Sequence, residues 1–262
     1  MAKRSPLAEK LDDVRGRIAR ACDRAKRDPD GVTLIAVTKT AAPEQIREVL
    51  SLGVADIGES RVQQLVQRAA QLNEFVSRRQ AHGGTGAAGV SAMPDKIRWH
   101  MIGHLQRNKA KPLIPLVHLI HSVDSLRLAE ELDAQAEKAG KRLPILMQVN
   151  GSEEPQKHGV AVGAAVHLAE QIDSMPGLQL VGLMTMAAHE NDPAKVRQAF
   201  SRTREIFDEL KWNKIGGAGL RHLSMGMSDD FEMAVEEGAT MVRIGSTLFG
   251  GAAQDHEGLE EA

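Results

Sequence analysis

The chain has 262 residues, 42% of them hydrophobic, which is enough to bury a full core and matches one α/β barrel or two small domains. Its 33 Lys and Arg stand against 35 Asp and Glu, a net charge of −2, so nothing global favours nucleic acid or an anionic membrane surface, and an anion site has to be local. A single cysteine, Cys22, excludes an intramolecular disulfide, and no apolar run approaches the ~20 residues of a membrane span. The charged, amphipathic start reads as a helix rather than a signal peptide, so a cytoplasmic chain is expected.

In chain order, Leu7, Leu11, Val14, Ile18 and Cys22 recur at helical spacing, predicting an amphipathic helix that ends near Pro29, Asp30 and Gly31, with Cys22 a buried structural thiol. Eight short apolar runs then read as buried strands: 33–39, 54–58, 97–103, 117–123, 144–150, 180–186, 221–226 and 240–245. Helical patterns separate most of them: PEQIREVLS from Pro43, SLRLAEELDAQAEKAG after Asp124, and DPAKVRQAFSRTREIFDELK, where Val196, Phe200, Phe207 and Leu210 form one stripe. Ser60 with Gln63, and Asp229 with Glu232, have capping-box spacing directly after the second and seventh strands. Strands alternating with helices in this number favour a (β/α)8 TIM-type barrel with an additional N-terminal helix over a doubly wound sheet. The chain reads as a single domain over 1–262, with a flexible Gly-rich loop at 80–94 and a polar tail from 251.

Inside that loop, HGGTGAAGV contains a G-x-G-x-x-G match at Gly84, Gly86 and Gly89. A dinucleotide fingerprint needs a strand before the glycines, a helix after them and an acid ~20 residues on. Here a helix end precedes, Pro94 follows, and residues 96–123 hold no Asp or Glu, so the stretch reads as a surface loop.

In a barrel, functional groups come from the C-terminal ends of the strands. The first strand ends at Lys39, which reads either as an amine able to make an imine, its pKa lowered by an apolar wall and nearby cations, or as a snorkelling loop lysine. The seventh ends in LSMGMS (223–228) and the eighth in RIGST (243–247), at the loops where such barrels commonly hold phosphate. Ser224, Gly226, Gly245, Ser246 and Thr247 have the chemistry for that site; the alternative is two Gly-containing turns. Arg243, inside the eighth strand between Val242 and Ile244, needs an acceptor, which a structural salt bridge would also supply. His100 and His104 have H-x3-H spacing, but on a strand and its turn, with no acid nearby in sequence, so no metal site is expected. Lys96, Arg98, Arg107, Lys109 and Lys111 form a basic segment that reads as a solvated rim, because aromatics, at 3%, offer little for base stacking.

With these residues in place, the chain resembles the pyridoxal phosphate homeostasis protein family, single-domain relatives of the alanine racemase N-terminal barrel. The resemblance runs nearly end to end, through IAVTKT, DIGESRVQQL, RWHMIGHLQRNK, HSVDS, VNGSEEPQKHG, GLMTM and LSMGMSDDFEMAVEEGATMVRIGSTLFG. It implies that Lys39 forms the internal aldimine with pyridoxal 5'-phosphate, that Ser224, Gly245 and Ser246 fall on phosphate-binding positions, and that Arg243 faces the pyridine nitrogen. An arginine there cannot accept a proton from a pyridinium, so the ring nitrogen stays unprotonated and the cofactor is a weaker electron sink. Ser60 and Arg61 replace the Asn-Tyr that commonly follows Gly-Glu in the family, NGSEEP departs from its usual pattern, and the Gly-rich stretch reads as an insertion.

The resemblance implies intracellular storage, buffering or delivery of the cofactor, with cofactor-dependent apo-enzymes as partners and a monomer or weak homodimer as the assembly. The competing reading is an amino-acid racemase of the alanine racemase type. Such an enzyme pairs the lysine with a tyrosine supplied with a second domain, whereas this chain has no Tyr and only GGAAQDHEGLEEA after Phe249. A third reading is a phosphosugar-binding barrel with an ordinary lysine.

Overall fold

The computed structural model of the chain describes residues 4–81, 93–154, 156–187 and 192–250. The HGGTGAAGV stretch and the tail from 251 lie outside the described residues.

The first helix, α1 (Pro6–Arg24), starts where Ser5 Oγ accepts the Ala8 N–H at 3.1 Å and Pro6 presets the first turn. Its predicted stripe, Leu7, Leu11, Val14, Ile18 and Cys22, is buried. All eight predicted strands are present: β1 (Thr33–Val37), β2 (Asp56–Glu59), β3 (Arg98–Met101), β4 (Leu119–Val123), β5 (Leu143–Asn150), β7 (Leu178–Met184), β8 (His222–Ser224) and β9 (Met241–Ile244). They pair in parallel in that order, and β9 pairs with β1 to close the barrel. A two-residue strand that the apolar runs did not signal, β6 (Val160–Ala161), extends the end of β5 at Val149 and Asn150.

Outside run α2 (Pro43–Ser51), α3 (Val62–Ala81), α4 (Leu126–Lys138), α5 (Ala165–Asp173), α6 (Pro193–Trp212), α7 (Phe231–Glu236) and α8 (Ser246–Phe249). After β3 the chain makes two 3-10 turns, Arg107–Lys109 and Lys111–Leu113, with Pro112 inside the second and Pro115 after it limiting helix growth. Both capping-box expectations shift by one residue. Leu65 N–H bonds Arg61 O at 3.0 Å, so Arg61 rather than Ser60 opens α3. Asp230 rather than Asp229 opens α7, and its carboxylate caps the preceding turn by accepting the Met227 N–H at 2.5 Å.

Register decides which side chains enter the barrel. In parallel pairs, facing residues point the same way, and alternation along each strand repeats the choice every second residue. Ile35 faces Arg243, Leu119 faces His100, and Met184 and Met241 face Ser224. The interior is therefore part apolar, with Ile35, Leu119, Leu146, Val181, Met184 and Met241 as one cluster. A polar file of Asp56, His100, His121, Ser224 and Arg243 shares it, all five buried. α1 packs across α7 and α8, where Arg17 bonds Glu232 at 2.9 Å and lies over the Phe231 ring, bracing the loops that follow β8 and β9.

Candidate functional site

Lys39 leaves β1 two residues past its end, at the C-terminal mouth, and is exposed. The backbone beneath it is fixed. Buried Thr38 donates its hydroxyl to Glu59 Oε1, at the end of β2, and Arg68 on α3 pairs with the same oxygen. The Arg68 guanidinium also donates to the carbonyls of Thr38 and, at 3.2 Å, Ala41, so it clasps the loop on both sides of Lys39. Glu59, fully buried, is thus a positioning group for the lysine segment.

Ile244 faces Ala36 across the β1–β9 pair, which brings the exit of β9 alongside the exit of β1. A Cβ added to Gly245 would stand 3.3 Å from the Val37 carbonyl oxygen, so the turn lies close against the lysine strand. At that turn the N–H groups of Gly245 and Thr247 both aim at Ser228 Oγ, each at 3.4 Å, the outer limit of a hydrogen bond. They are donors with capacity for a stronger acceptor. Gly226, at φ +91° in the same loop system, leaves no room for a side chain: an added Cβ would lie 2.5 Å from Ala234 Cβ and 2.8 Å from Phe231 Cα. Its carbonyl accepts the Arg243 N–H at 3.0 Å.

Below the turn, Arg243 donates from Nη1 to Ser224 Oγ at 2.7 Å and from Nη2 to the Thr185 carbonyl at 3.0 Å. The acceptors are neutral; no salt bridge to Arg243 occurs among the described residues. Burial pushes its pKa down to about 10, against the attraction of Asp230, and the group stays charged at neutral pH.

Ser224 in turn begins a chain of hydrogen bonds through the barrel. His121 Nδ1 lies 2.9 Å from Ser224 Oγ, His121 Nε2 lies 2.9 Å from His100 Nδ1, and His100 Nε2 lies 3.0 Å from Asp56 Oδ1. A carboxylate only accepts, so His100 Nε2 carries a proton toward Asp56, and in a neutral ring Nδ1 then accepts from His121 Nε2–H. His121 Nδ1 then accepts from the Ser224 hydroxyl, whose oxygen accepts from Arg243. With both imidazoles neutral, every link has one donor and one acceptor, and the file runs one way from guanidinium to carboxylate. Burial, with the Arg243 guanidinium nearby, drives the His121 pKa well below the usual histidine value. Burial opposes ionisation of Asp56, yet the hydrogen bonds from His100 and Arg98 hold its pKa down at about 2.

The segments that carry Lys39 and Gly245–Ser246 therefore leave neighbouring strands at the mouth, Gly226 shapes the loop after β8, and Arg243 and Ser224 lie inside the barrel. The Ser224 hydroxyl has its proton and one lone pair committed to His121 and Arg243. Ser228, Glu59, Arg68, Asp56 and His121 were not singled out by the sequence reading. Asp56, His100 and His121 did carry a signal: each is a polar residue inside an apolar strand run. His100 and His104 do not converge, since His100 is buried and His104 exposed at the rim. The acids absent from the local sequence arrive through space, Asp56 beside His100 and Asp124 beside His104. The basic segment divides likewise: Arg98 pairs with Asp56, while Arg107, Lys109 and Lys111 are exposed.

Residues 7–253 match the family described as alanine racemase, N-terminal domain. A pyridoxal phosphate homeostasis protein of Aquifex aeolicus is 38% identical over 242 residues, covering 92% of this chain and 96% of the relative. Among solved structures, a protein from Bifidobacterium adolescentis superposes with a TM-score of 0.83 at 37% identity, covering 93% of this chain and 94% of that one. PipY of Synechococcus elongatus, determined with PLP bound, superposes with a TM-score of 0.75 at 32% identity, covering 93% of this chain and all of that one (100%). Among the described residues no helix is long and apolar enough to cross a membrane.

Proposed function

The chain belongs to the pyridoxal phosphate homeostasis protein family, and from that premise we propose that it binds pyridoxal 5'-phosphate at the mouth of its barrel and stores, buffers or delivers it in the cytoplasm. The observation that carries the reading is the β1–β9 pairing, which sets the exposed Lys39 beside the Gly245–Thr247 turn and above a buried guanidinium with no carboxylate partner among the described residues.

The donor set suits the group. A dianionic phosphate needs N–H and hydroxyl donors free of competing carboxylates, and residues 240–250 contain none. The N–H groups of Gly245 and Thr247, with the hydroxyls of Ser246 and Ser228, provide that cradle. When bound, the cofactor supplies an electrophilic aldehyde on an aromatic ring whose electron-withdrawing power depends on its ring nitrogen. Lys39 contributes the amine that holds the aldehyde. Arg243 contributes N–H donors and has no means of taking up a proton, so a nitrogen facing it stays unprotonated. Ser224 serves the site from beneath: bonded to both His121 and Arg243, it sets where the guanidinium points. The chain has no tyrosine to act opposite Lys39, which supports a carrier over a two-base racemase. Hand-over of the cofactor to apo-enzymes is the corresponding role.

The test is to load the protein with pyridoxal 5'-phosphate, reduce with borohydride and map the modified peptide. Label on Lys39, with the visible band absent from Lys39→Ala, supports the proposal. Label elsewhere, or an unchanged band in Lys39→Ala, overturns it. Robust amino-acid racemization by the loaded protein, lost in Lys39→Ala, would replace the carrier with the racemase.

A further inference from the structure

A second constellation of titratable groups stands at the mouth, on the ends of β3, β4 and β5, across the barrel from the β8–β9 loops. His104 Nδ1 lies 3.2 Å from Asp124 Oδ2, and His158 Nδ1 lies 3.9 Å from the same oxygen. The two imidazoles stack with centroids 4.1 Å apart and 15° between their planes. One ligand atom from each of the three fits within a 4.8 Å span. From this we propose that His104, Asp124 and His158 bind a divalent transition-metal ion of the zinc class, at a site separate from that of the cofactor.

The distances are close to what such an ion requires. Bonds of ~2.0–2.1 Å in a tetrahedral arrangement place ligand atoms roughly 3.3 Å apart. The His104–Asp124 separation already meets this, and His158, 3.9 Å from Asp124 in a triad spanning up to 4.8 Å, moves inward on binding. Stacked rings do not direct their lone pairs at one point, so the imidazoles splay on binding. Their side chains are 44% and 56% exposed and free to turn, whereas Asp124, at 12%, is fixed on the end of β4.

The backbone under each ligand is held. Gly103, just before His104, packs so closely on β2's exit that an added Cβ would lie 2.2 Å from the Ser60 carbonyl oxygen. Buried Gln148 donates from Nε2 to the His158 carbonyl at 3.1 Å. Lys157, the cation next to His158, is occupied by Glu154 and by the Ala187 carbonyl at 3.0 Å, so it does not neutralise Asp124. Two imidazoles and one carboxylate suit zinc, cobalt, nickel or ferrous ions, and lack the all-oxygen set that calcium or magnesium prefers. Three protein ligands leave coordination positions open, and His104 and Asp124 face a groove of about 690 Å³ that Arg127 and Glu131 also line.

The test uses the full, untagged chain without pyridoxal 5'-phosphate, so its outcome does not depend on the cofactor reading. Cobalt is titrated and followed by visible absorption, then displaced with zinc. One equivalent of cobalt is expected, and His104→Gln, Asp124→Asn and His158→Gln each weaken its binding at least tenfold, the lower end of what loss of even an outer-shell partner costs. His167→Gln, an exposed histidine on α5 whose partner is Glu170, leaves it unchanged. Far-ultraviolet circular dichroism identical to the parent shows that each variant is folded. Zinc should also raise the unfolding temperature of the parent and not of Asp124→Asn. Absence of saturable binding overturns the proposal, as does binding that persists in the triple variant, which would place the metal on other histidines.

Discussion

His100 and His104 stand four positions apart on and just past β3, and each has a carboxylate and a second histidine within reach. Their circumstances are opposite. His100 is buried between Asp56 and His121, with both ring nitrogens committed in a file that ends on Arg243. His104 is exposed, its one polar contact in the cluster is the 3.2 Å approach to Asp124, and its ring faces that of His158. The same residue types thus make a saturated, rigid element inside the barrel and an unsaturated, adjustable one at the rim. Burial decides between them: inside, a polar group without a partner costs about 1–3 kcal/mol, which favours a closed chain. Outside, water covers the deficit and leaves the lone pairs available for a ligand.

The largest way to break this contrast is Asp56→Ala. It removes the anion at one end of the file and strands His100, with an expected loss of about 3 kcal/mol in denaturant unfolding at pH 7. A loss below about 1 kcal/mol would show that the file is not held as a unit. Ser224→Ala comes next, at about 2 kcal/mol, because it leaves Arg243 Nη1 and His121 Nδ1 facing no acceptor or donor. It also weakens pyridoxal 5'-phosphate binding through Arg243. Ser228→Ala sharpens the distinction, weakening the cofactor while leaving stability within about 0.5 kcal/mol.

Acid provides a further comparison. Burial, with Arg221 adjacent, lowers the His222 pKa to about 4, and burial holds that of His121 well below its ordinary value. Both groups therefore stay neutral in the folded chain at pH values where the unfolded chain takes up protons, near ~6.5. Their contribution to stability is complete above that pH and is lost as pH falls through the folded values. The stability–pH curve should decline from about 6.5 toward 4, and His222→Gln should flatten part of it. Asp56 acts lower down: its contribution is complete above ~3.9 and is lost as pH falls toward its folded value of about 2. At the rim the smallest effect is expected. Asp124→Asn should change stability by less than about 1 kcal/mol while weakening metal binding at least tenfold, since its partners His104 and His158 are about half exposed.

The eight strands were legible because each is a short, mostly buried apolar run; Lys39 and Gly245 were singled out because strand ends are where a barrel presents chemistry, and Arg243 because a charge inside an apolar run needs an acceptor. The polar file was not. Its members lie 21 residues apart (His100 and His121) or 103 apart (His121 and Ser224), and no local spacing rule reaches across parallel strands. H-x3-H drew attention to a pair of histidines that never meet, while the partners each of them does have come from β2, β4 and the loop after β5. A polar residue at an interior-facing position of a buried strand was the available signal. Ser228 was hidden differently: it becomes visible only once the loops after β8 and β9 are seen to fold onto one another.

Histidine nitrogen NMR of the labelled full chain, recorded before and after one equivalent of zinc, tests the contrast most directly. The account predicts His100 and His121 as neutral Nε2–H tautomers whose signals zinc leaves in place, with His104 and His158 shifting. An Nδ1–H tautomer at His100 or His121, or a zinc response at those two residues in place of the rim pair, would contradict it.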